Sequence, residues 1–277
     1  MTPVRLSVCV VTFEPCWPHL ARTLARLGDA IACARARGSL AGCAVTLVDN
    51  GPGHDRERLA LLAEAALARA PGTASQVLTG HGNVGFGRGH NLGMRAANAA
   101  MHLILNPDVE MDEDALDAGV RYLEAHPHAG AVMAAARDDD GEPLYLAKSM
   151  PTVLALLLRG FAPAWLRSRF QGVLDRYEMR ERDWTIEQFP ILVAGGCFLL
   201  CRRSALDAVG AFDEGYFLYF EDYDLSMRLA RTAPVGYSPA VRVIHHGGGA
   251  ARKGWQHTLW FITSARRFFA THGWRWS

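Results

Sequence analysis

Four times within its first 110 residues the chain passes between a short apolar run and a stretch with helical spacing, and few folds accept that rhythm. Residues 6–13 (LSVCVVTF) are apolar and β-branched, as a strand buried on both faces must be. Leu20, Leu24, Leu27 and Ile31 then recur at helical intervals. Residues 44–48 (AVTLV) form a second strand that stops at the turn signal Asp49-Asn50-Gly51-Pro52-Gly53. Residues 56–69 are Ala/Leu-rich and helical, and residues 75–78 read as a third strand. A glycine-rich loop, 82–93, opens a helix over 91–100, and residues 101–105 (MHLIL) make a fourth strand ending at Asn106-Pro107-Asp108. Such alternation predicts an α/β fold, a single doubly wound, mostly parallel sheet flanked by helices.

Ligands of such sheets sit beyond the carboxyl ends of the strands. Here those ends carry Thr12-Phe13-Glu14, Asp49-Asn50, the glycine loop and Asn106-Pro107-Asp108, all polar or glycine-rich. The first half therefore reads as a nucleotide-binding half. A dinucleotide fingerprint belongs after the first strand, where this chain has Glu14-Pro15 and no glycine, which argues against a nicotinamide site.

The second half is less regular. Residues 152–170 are apolar with Arg159, Arg167 and Arg169 interspersed, and residues 191–201 (ILVAGGCFLLC) read as a strand pair or a strand broken by glycine. A short helix over 203–209 is closed by Gly210, and residues 217–220 lead into another helix opening with Glu221-Asp222-Tyr223-Asp224. No linker interrupts the chain, and 277 residues suffice for one large domain. A net charge of +1 supplies no global field for nucleic acid, so an anionic ligand needs a local site. The scattered cysteines (Cys9, Cys16, Cys33, Cys43, Cys197, Cys201) lack zinc-finger spacing and fit buried thiols in a reducing compartment. No signal peptide and no apolar run of about 20 residues is present, so a cytoplasmic location is expected, at most peripheral on the inner face of a membrane.

Four groups are candidates to carry chemistry. Asp108 follows a proline that cannot continue a sheet ladder; it suits an oxygen-loving divalent ion, or else caps the helix over 112–123. The glycines of 82–93 let backbone N–H groups approach phosphate or sugar oxygens, with Asn83, Arg88 and Asn91 adding hydrogen-bonding groups. Glu221, Asp222 and Asp224 crowd charge among aromatic residues, which raises the proton affinity of one carboxylate and makes it a usable base; equally, acids there suit a helix N-terminus, with Asp224 pairing Arg228. His245 or His246, at the end of a strand over 241–244, is a candidate metal ligand.

In this order the stretches VVTFEP, LVDNGPG, GNVGFGRGHNLG, LILNPDVEMDEDAL, AGGCFLLCRRSALDAVGAFDEGYFLYFEDYDLSMR and VIHHGGGA resemble glycosyltransferase family 2, with its GT-A fold, and within it the rhamnosyltransferase-like branch of bacterial surface polysaccharide synthesis. The resemblance implies a GT-A domain over residues 1–250, with a nucleotide-binding half (1–110) and an acceptor and catalytic half (111–250). It implies Thr12 and Glu14 in the nucleotide pocket, Asp49 on the base, and Asn83, Gly85, Asn91 and Asn106 about the donor. Gly196 would border donor sugar or acceptor, Asp108 and His245 would hold Mg²⁺ or Mn²⁺, and Asp222 would be the catalytic base. Asn106 replaces the first acid of the family's Asp-x-Asp motif, and Ala250 replaces the serine of its last motif.

The activity so implied is inverting transfer of a sugar, L-rhamnose from dTDP-rhamnose ahead of UDP-sugars, to a saccharide or lipid-linked saccharide. The rivals are a nucleotidyltransferase on a related sheet and a binding scaffold without turnover. A helical tail, 251–277, interleaves Trp255, Trp260, Phe261, Phe268, Phe269, Trp274 and Trp276 with Arg252, Lys253, Arg266, Arg267 and Arg275. It suits a membrane interface, or packing on the catalytic domain or on a second copy in a homodimer.

Overall fold

A computed structural model describes residues 2–247 and 254–277. The first half runs β1 (Val4–Thr12), α1 (Trp17–Ala36), β2 (Leu40–Asp49), α2 (Arg56–Leu67), β3 (Ala74–Leu78), α3 (Phe86–Arg95) and β4 (Met101–Leu105). These strands pair in parallel in the order β3-β2-β1-β4. Leu6, Val8 and Val10 of β1 pack with Leu20, Leu24, Leu27 and Ile31 of α1, while Cys9 and Val11 pack with Val48 on the other face. Burial on both faces explains why β1 reads as a continuous apolar run.

The second half adds β5 (Val109–Met111), α4 (Ala115–Ala125), β6 (Ala131–Arg137), β7 (Pro143–Leu144), β8 (Ala147–Lys148), α5 (Val153–Phe161), α6 (Ala164–Arg169), α7 (Gln171–Tyr177), β9 (Gln188–Ile191), β10 (Val193–Ala194), β11 (Phe198–Arg202), α8 (Arg203–Val209), α9 (Glu221–Leu229), β12 (Val235–His245) and α10 (Gly254–His272). β11 inserts between β4 and β6, antiparallel to both, and β12 runs parallel to β6 while β5 pairs antiparallel along it. The result is the mixed, mostly parallel α/β sheet flanked by helices that the alternation predicts. Gly210 closes α8 in the left-handed conformation, φ 75°.

The helix after β3 differs from expectation. It spans Phe86–Arg95 rather than 91–100, so most of the presumed loop is helical. The reason is packing. A Cβ on Gly93 would collide with Cys9 Sγ, and one on Gly89 would come within 2.9 Å of Val11. These glycines let the helix lie directly on the sheet, and that contact outweighs their poor helix propensity. Asp108 likewise does not cap α4: β5 starts at the next residue, and the residue preceding α4 is Asp114.

The C-terminal helix α10 packs on the rest of the fold through Ser264, Phe268 and Phe269. His272 Nε2 lies 2.8 Å from Asp224 Oδ1, which ties the helix to α9. Ala250 and the adjacent Gly248, Gly249, Arg252 and Lys253 lie outside the described residues.

Candidate active site

Thr12 and Asp49 end β1 and β2 as register partners, both buried. Asp49 Oδ1 accepts from the Gly51 N–H at 2.9 Å, and the Thr12 and Thr79 hydroxyls stand 3.5 Å from its two oxygens. The carboxylate is thus held at the strand end by the turn that follows it. Beside it, Asn50 donates from Nδ2 to the Gly85 carbonyl at 3.0 Å and meets His81 Nε2 at 3.1 Å. Glu14 is exposed at the mouth of the strand, with φ 46°.

The glycine turn is built for contact with the second half. Asn83 Oδ1 accepts from the Gly85 N–H at 3.1 Å, an Asx-type turn. Gly85 has φ 87°, and a Cβ there would collide with the Phe217 carbonyl, which accepts from the Phe86 N–H at 3.0 Å. Asn91 faces elsewhere: its Nδ2 donates to Phe212 O and Glu214 Oε1, and its Oδ1 accepts from the Phe212 N–H. Arg88 pairs with Glu214 at 3.3 Å. The side chains of Asn91 and Arg88 therefore fasten α3 to the 212–214 loop.

At the end of β4, the Asn106 N–H donates to Cys197 O at 2.8 Å, and Asn106 Oδ1 is buried without a hydrogen-bond partner. Register places His245 opposite Val109, and the His246 N–H donates to Asp108 O at 3.0 Å. His245 Nε2 consequently stands 3.4 Å from Asp108 Oδ1. A Cβ on Gly247 would collide with Asp108 Oδ2 and lie 2.8 Å from His245 Nε2, so the glycine keeps this pocket open. His246 points away, to Asp139 and to Glu110 Oε1 at 2.7 Å. Among the described residues no three His, Cys, Asp or Glu side chains converge as a metal cluster. The donor set is a carboxylate and an imidazole, with an orphaned amide oxygen nearby. A carboxylate beside an imidazole is a donor set that could hold a divalent cation.

The three acids of α9 have three different environments. Asp224 is buried between Arg228, 2.7 Å away, and His272, so it serves the fold. Glu221 is fully enclosed; burial and the neighbouring Asp222 charge raise its pKa from 4.5 to about 8. Asp222 accepts from the Gly196 N–H at Oδ2 and the Tyr223 N–H at Oδ1, both 2.9 Å. Burial raises its pKa, against the pull of those two N–H groups. Just before the helix, Tyr219 and Phe220 both adopt left-handed φ, 71° and 66°. Such non-glycine geometry costs about 1 kcal/mol or more per residue. Packing of Phe220 on Phe261, Phe268 and Tyr223 offsets it.

Asp222 and His245 line one cavity of about 500 Å³, with Gly195, Lys148, Arg159, Tyr177 and Tyr223 among its walls. Asp222 and His245, the latter paired with Asp108, thus share a space large enough for a sugar. Sequence reasoning missed Asn50 as a link to the glycine turn, and Lys148 and Tyr177 altogether. A lone lysine in the apolar stretch 144–150 (LYLAKSM) was the one local sign.

The family model for glycosyl transferase family 2 matches residues 7–210. The chain belongs to that family. It is 34% identical over 265 residues to an N-acetylglucosaminyl-diphospho-decaprenol L-rhamnosyltransferase of Mycobacterium tuberculosis, covering 89% of this chain and 77% of the relative. It is 28% identical over 200 residues to rhamnosyltransferase WbbL of Escherichia coli, covering 68% and 71%. Among solved structures, the mannosyltransferase PcManGT of Pyrobaculum calidifontis in complex with GDP-Man and Mn²⁺ superposes with TM-score 0.60 at 17% identity, over 96% of this chain and 65% of that one. GalNAc-T7 with UDP, GalNAc and Mn²⁺ gives TM-score 0.64 at 13% identity, over 96% of this chain and 48% of that one. At such identity the structures establish the GT-A fold alone.

Glu221 yields a pH test. Its proton is held more tightly in the folded chain than in the unfolded one. Its contribution to stability is therefore complete below about pH 4.5 and lost as pH rises through about 8. Against a neutral Glu221→Gln variant, the wild type should lose ground across that window, by at most about 1.4 kcal/mol per pH unit. Denaturant unfolding from pH 5 to 9 measures this, and parallel stability curves for the two proteins would contradict it.

Proposed function

From that family membership we infer that the chain is a metal-dependent, inverting glycosyltransferase, moving L-rhamnose from dTDP-rhamnose to a lipid-linked saccharide in bacterial surface polysaccharide synthesis. The observation that carries the reading is Asp222, held by two backbone N–H groups and facing the same cavity as the His245 that pairs with Asp108. The rhamnosyl donor and the lipid-linked acceptor rest on the printed names of the relatives.

Asp222 removes the proton of the acceptor hydroxyl as that oxygen attacks the anomeric carbon. The bond from that carbon to the departing diphosphate oxygen breaks on the opposite face, and the proton stays on Asp222. One base and no protein nucleophile means a single displacement with inversion. The raised proton affinity of Asp222 favours the base role, and the Gly196 and Tyr223 N–H groups fix its direction. Asp108 and His245, with Asn106 alongside, would hold Mg²⁺ or Mn²⁺, which when bound supplies Lewis-acid stabilisation of the leaving diphosphate. Residues 1–110 would then form the nucleotide half, with Thr12, Glu14 and Asp49 at the nucleoside and Asn83 and Gly85 shaping the donor turn. Residues 111–250 supply the acceptor side, and 251–277 the helical tail.

Among the described residues no helix is long and apolar enough to cross a membrane. Residues 151–174 and 254–277 contain no Asp or Glu, yet hold Arg159, Arg167, Arg169, Arg266, Arg267 and Arg275. The two segments join where the Val153 and Leu154 N–H groups donate to Arg275 O and Trp276 O. Leu157, Phe161, Trp165, Trp255, Trp274 and Trp276 are exposed on them. Arg267 pairs with Asp213 and Arg159 with Glu178, which leaves the exposed Arg167, Arg169, Arg266 and Arg275 as the basic groups among these aromatics, a composition that fits peripheral contact with an anionic bilayer. The chain should co-sediment with vesicles containing anionic lipid and dissociate in high salt, whereas no binding to such vesicles would remove the peripheral contact from this reading.

Asp222→Asn should lower kcat by about 10²- to 10⁴-fold while leaving donor binding nearly intact. Asp224→Asn should instead lower thermal stability, because Arg228 and His272 lose their buried partner. Near-normal turnover in folded Asp222→Asn would reassign the base.

A further inference from the structure

Two cations in the catalytic cavity have no part in the transfer step described above. Lys148, on β8, is buried, and its Nζ lies 3.5 Å from Glu178 Oε1. Arg159, on α5, shares that same oxygen at 3.7 Å, and Arg180 takes the other at 2.7 Å. Lys148 and Arg159 line the cavity, whereas Glu178 is not among its walls. The cavity therefore faces two cations whose shared carboxylate stands behind them. Burying an ammonium is costly without full compensation. Burial pulls the Lys148 pKa down to about 8, with Arg159 adding to the effect. An anion entering the cavity would relieve both.

Resting on the reading that the acceptor is a lipid-linked saccharide, joined to its lipid by a diphosphate as in the name of the mycobacterial relative, we propose that Lys148 and Arg159 form the subsite for the acceptor's diphosphate. A guanidinium fork beside an ammonium is the chemistry that phosphate oxygens select. The paired hydroxyls of Tyr177 and Tyr223, 2.8 Å apart, lie in the same wall. The chemistry of the walls also matches. An acceptor of this class presents a sugar hydroxyl, a diphosphate and a lipid. The same cavity is lined by Asp222, by the cations Lys148 and Arg159, and by the apolar side chains of Leu156 and Phe261. Just outside, Phe161 is exposed and packs edge-on to Phe261 at 6.2 Å. The donor's diphosphate is accounted for separately, at Asp108 and His245.

The test compares two acceptors on the full chain with its metal: N-acetylglucosaminyl diphosphate carrying a short prenyl chain, and an alkyl N-acetylglucosaminide without phosphate. Wild type should favour the diphosphate acceptor through KM. Arg159→Gln should raise KM for that acceptor by about 10- to 100-fold, the range of a lost charged hydrogen bond. Its KM for the neutral glycoside and for the donor should stay unchanged, and Arg159→Lys should recover part of the loss. Lys148→Gln should act in the same direction; because Lys148 is buried, Arg159 is the variant that decides if this one does not fold. An unchanged acceptor KM in Arg159→Gln, or a rise in donor KM instead, overturns the subsite while the transferase reading stands. A wild type that transfers to neither acceptor overturns both.

Discussion

Strand register is the constraint on which the site depends. β11 enters the sheet antiparallel to β4, with Phe198 opposite Leu105, so the Gly195-Gly196 break that precedes it falls beside the end of β4. β12 pairs with β5 so that His245 lies opposite Val109. Together these two registers bring Asp108, Gly196 and His245 to one edge, the first and last of them 137 residues apart in sequence. A slip of one residue in β12 would present His246 to Asp108 and turn His245 away, because side chains alternate along a strand. The backbone bonds from Asn106 to Cys197 and from His246 to Asp108 hold both registers at the place where chemistry needs them.

Upon that frame, environment divides three neighbouring acids into three roles. Asp224 has two basic partners and anchors α9 to α10. Glu221 has burial without a countercharge, which favours its neutral form. Asp222 keeps two backbone N–H donors and an open cavity in front of it. A neutral Glu221 spares Asp222 a second adjacent negative charge, which fits the proposed role of Asp222 as a single base. The strained turn at Tyr219-Phe220 sets the direction in which the helix starts, and the aromatic cluster reaching to α10 holds it there. The C-terminal helix thus supports the start of α9 as well as forming outer surface.

The alternation of β1 to β4 was legible because burial on both faces leaves a local signature, and so were the strand-end positions of Thr12, Asp49 and Asp108. The bounds of α3 were not. Gly87, Gly89 and Gly93 read locally as loop, and only contact with Cys9, Val11 and Phe212 makes them helical. Asn91 read as a ligand group for the same reason: its partners at 212–214 are remote in sequence. Adjacent histidines could be told to diverge, and the family resemblance pointed to His245; it is the pairing of β12 with β5 that sets that ring beside Asp108. Lys148 and Arg159 carry no spacing pattern, since what unites them is a shared Glu178 and a common cavity.

The proposed function requires a nucleoside diphosphate held across the first-half strand ends and the Asp108–His245 pair, through a divalent cation. Calorimetric titration with dTDP, UDP and GDP, each with and without Mn²⁺, reads this out. dTDP should bind best, its binding should depend on the metal, and Asp108→Ala should abolish that dependence. Absence of metal-dependent binding for every nucleotide, or metal-dependent binding that Asp108→Ala leaves unaltered, would contradict it.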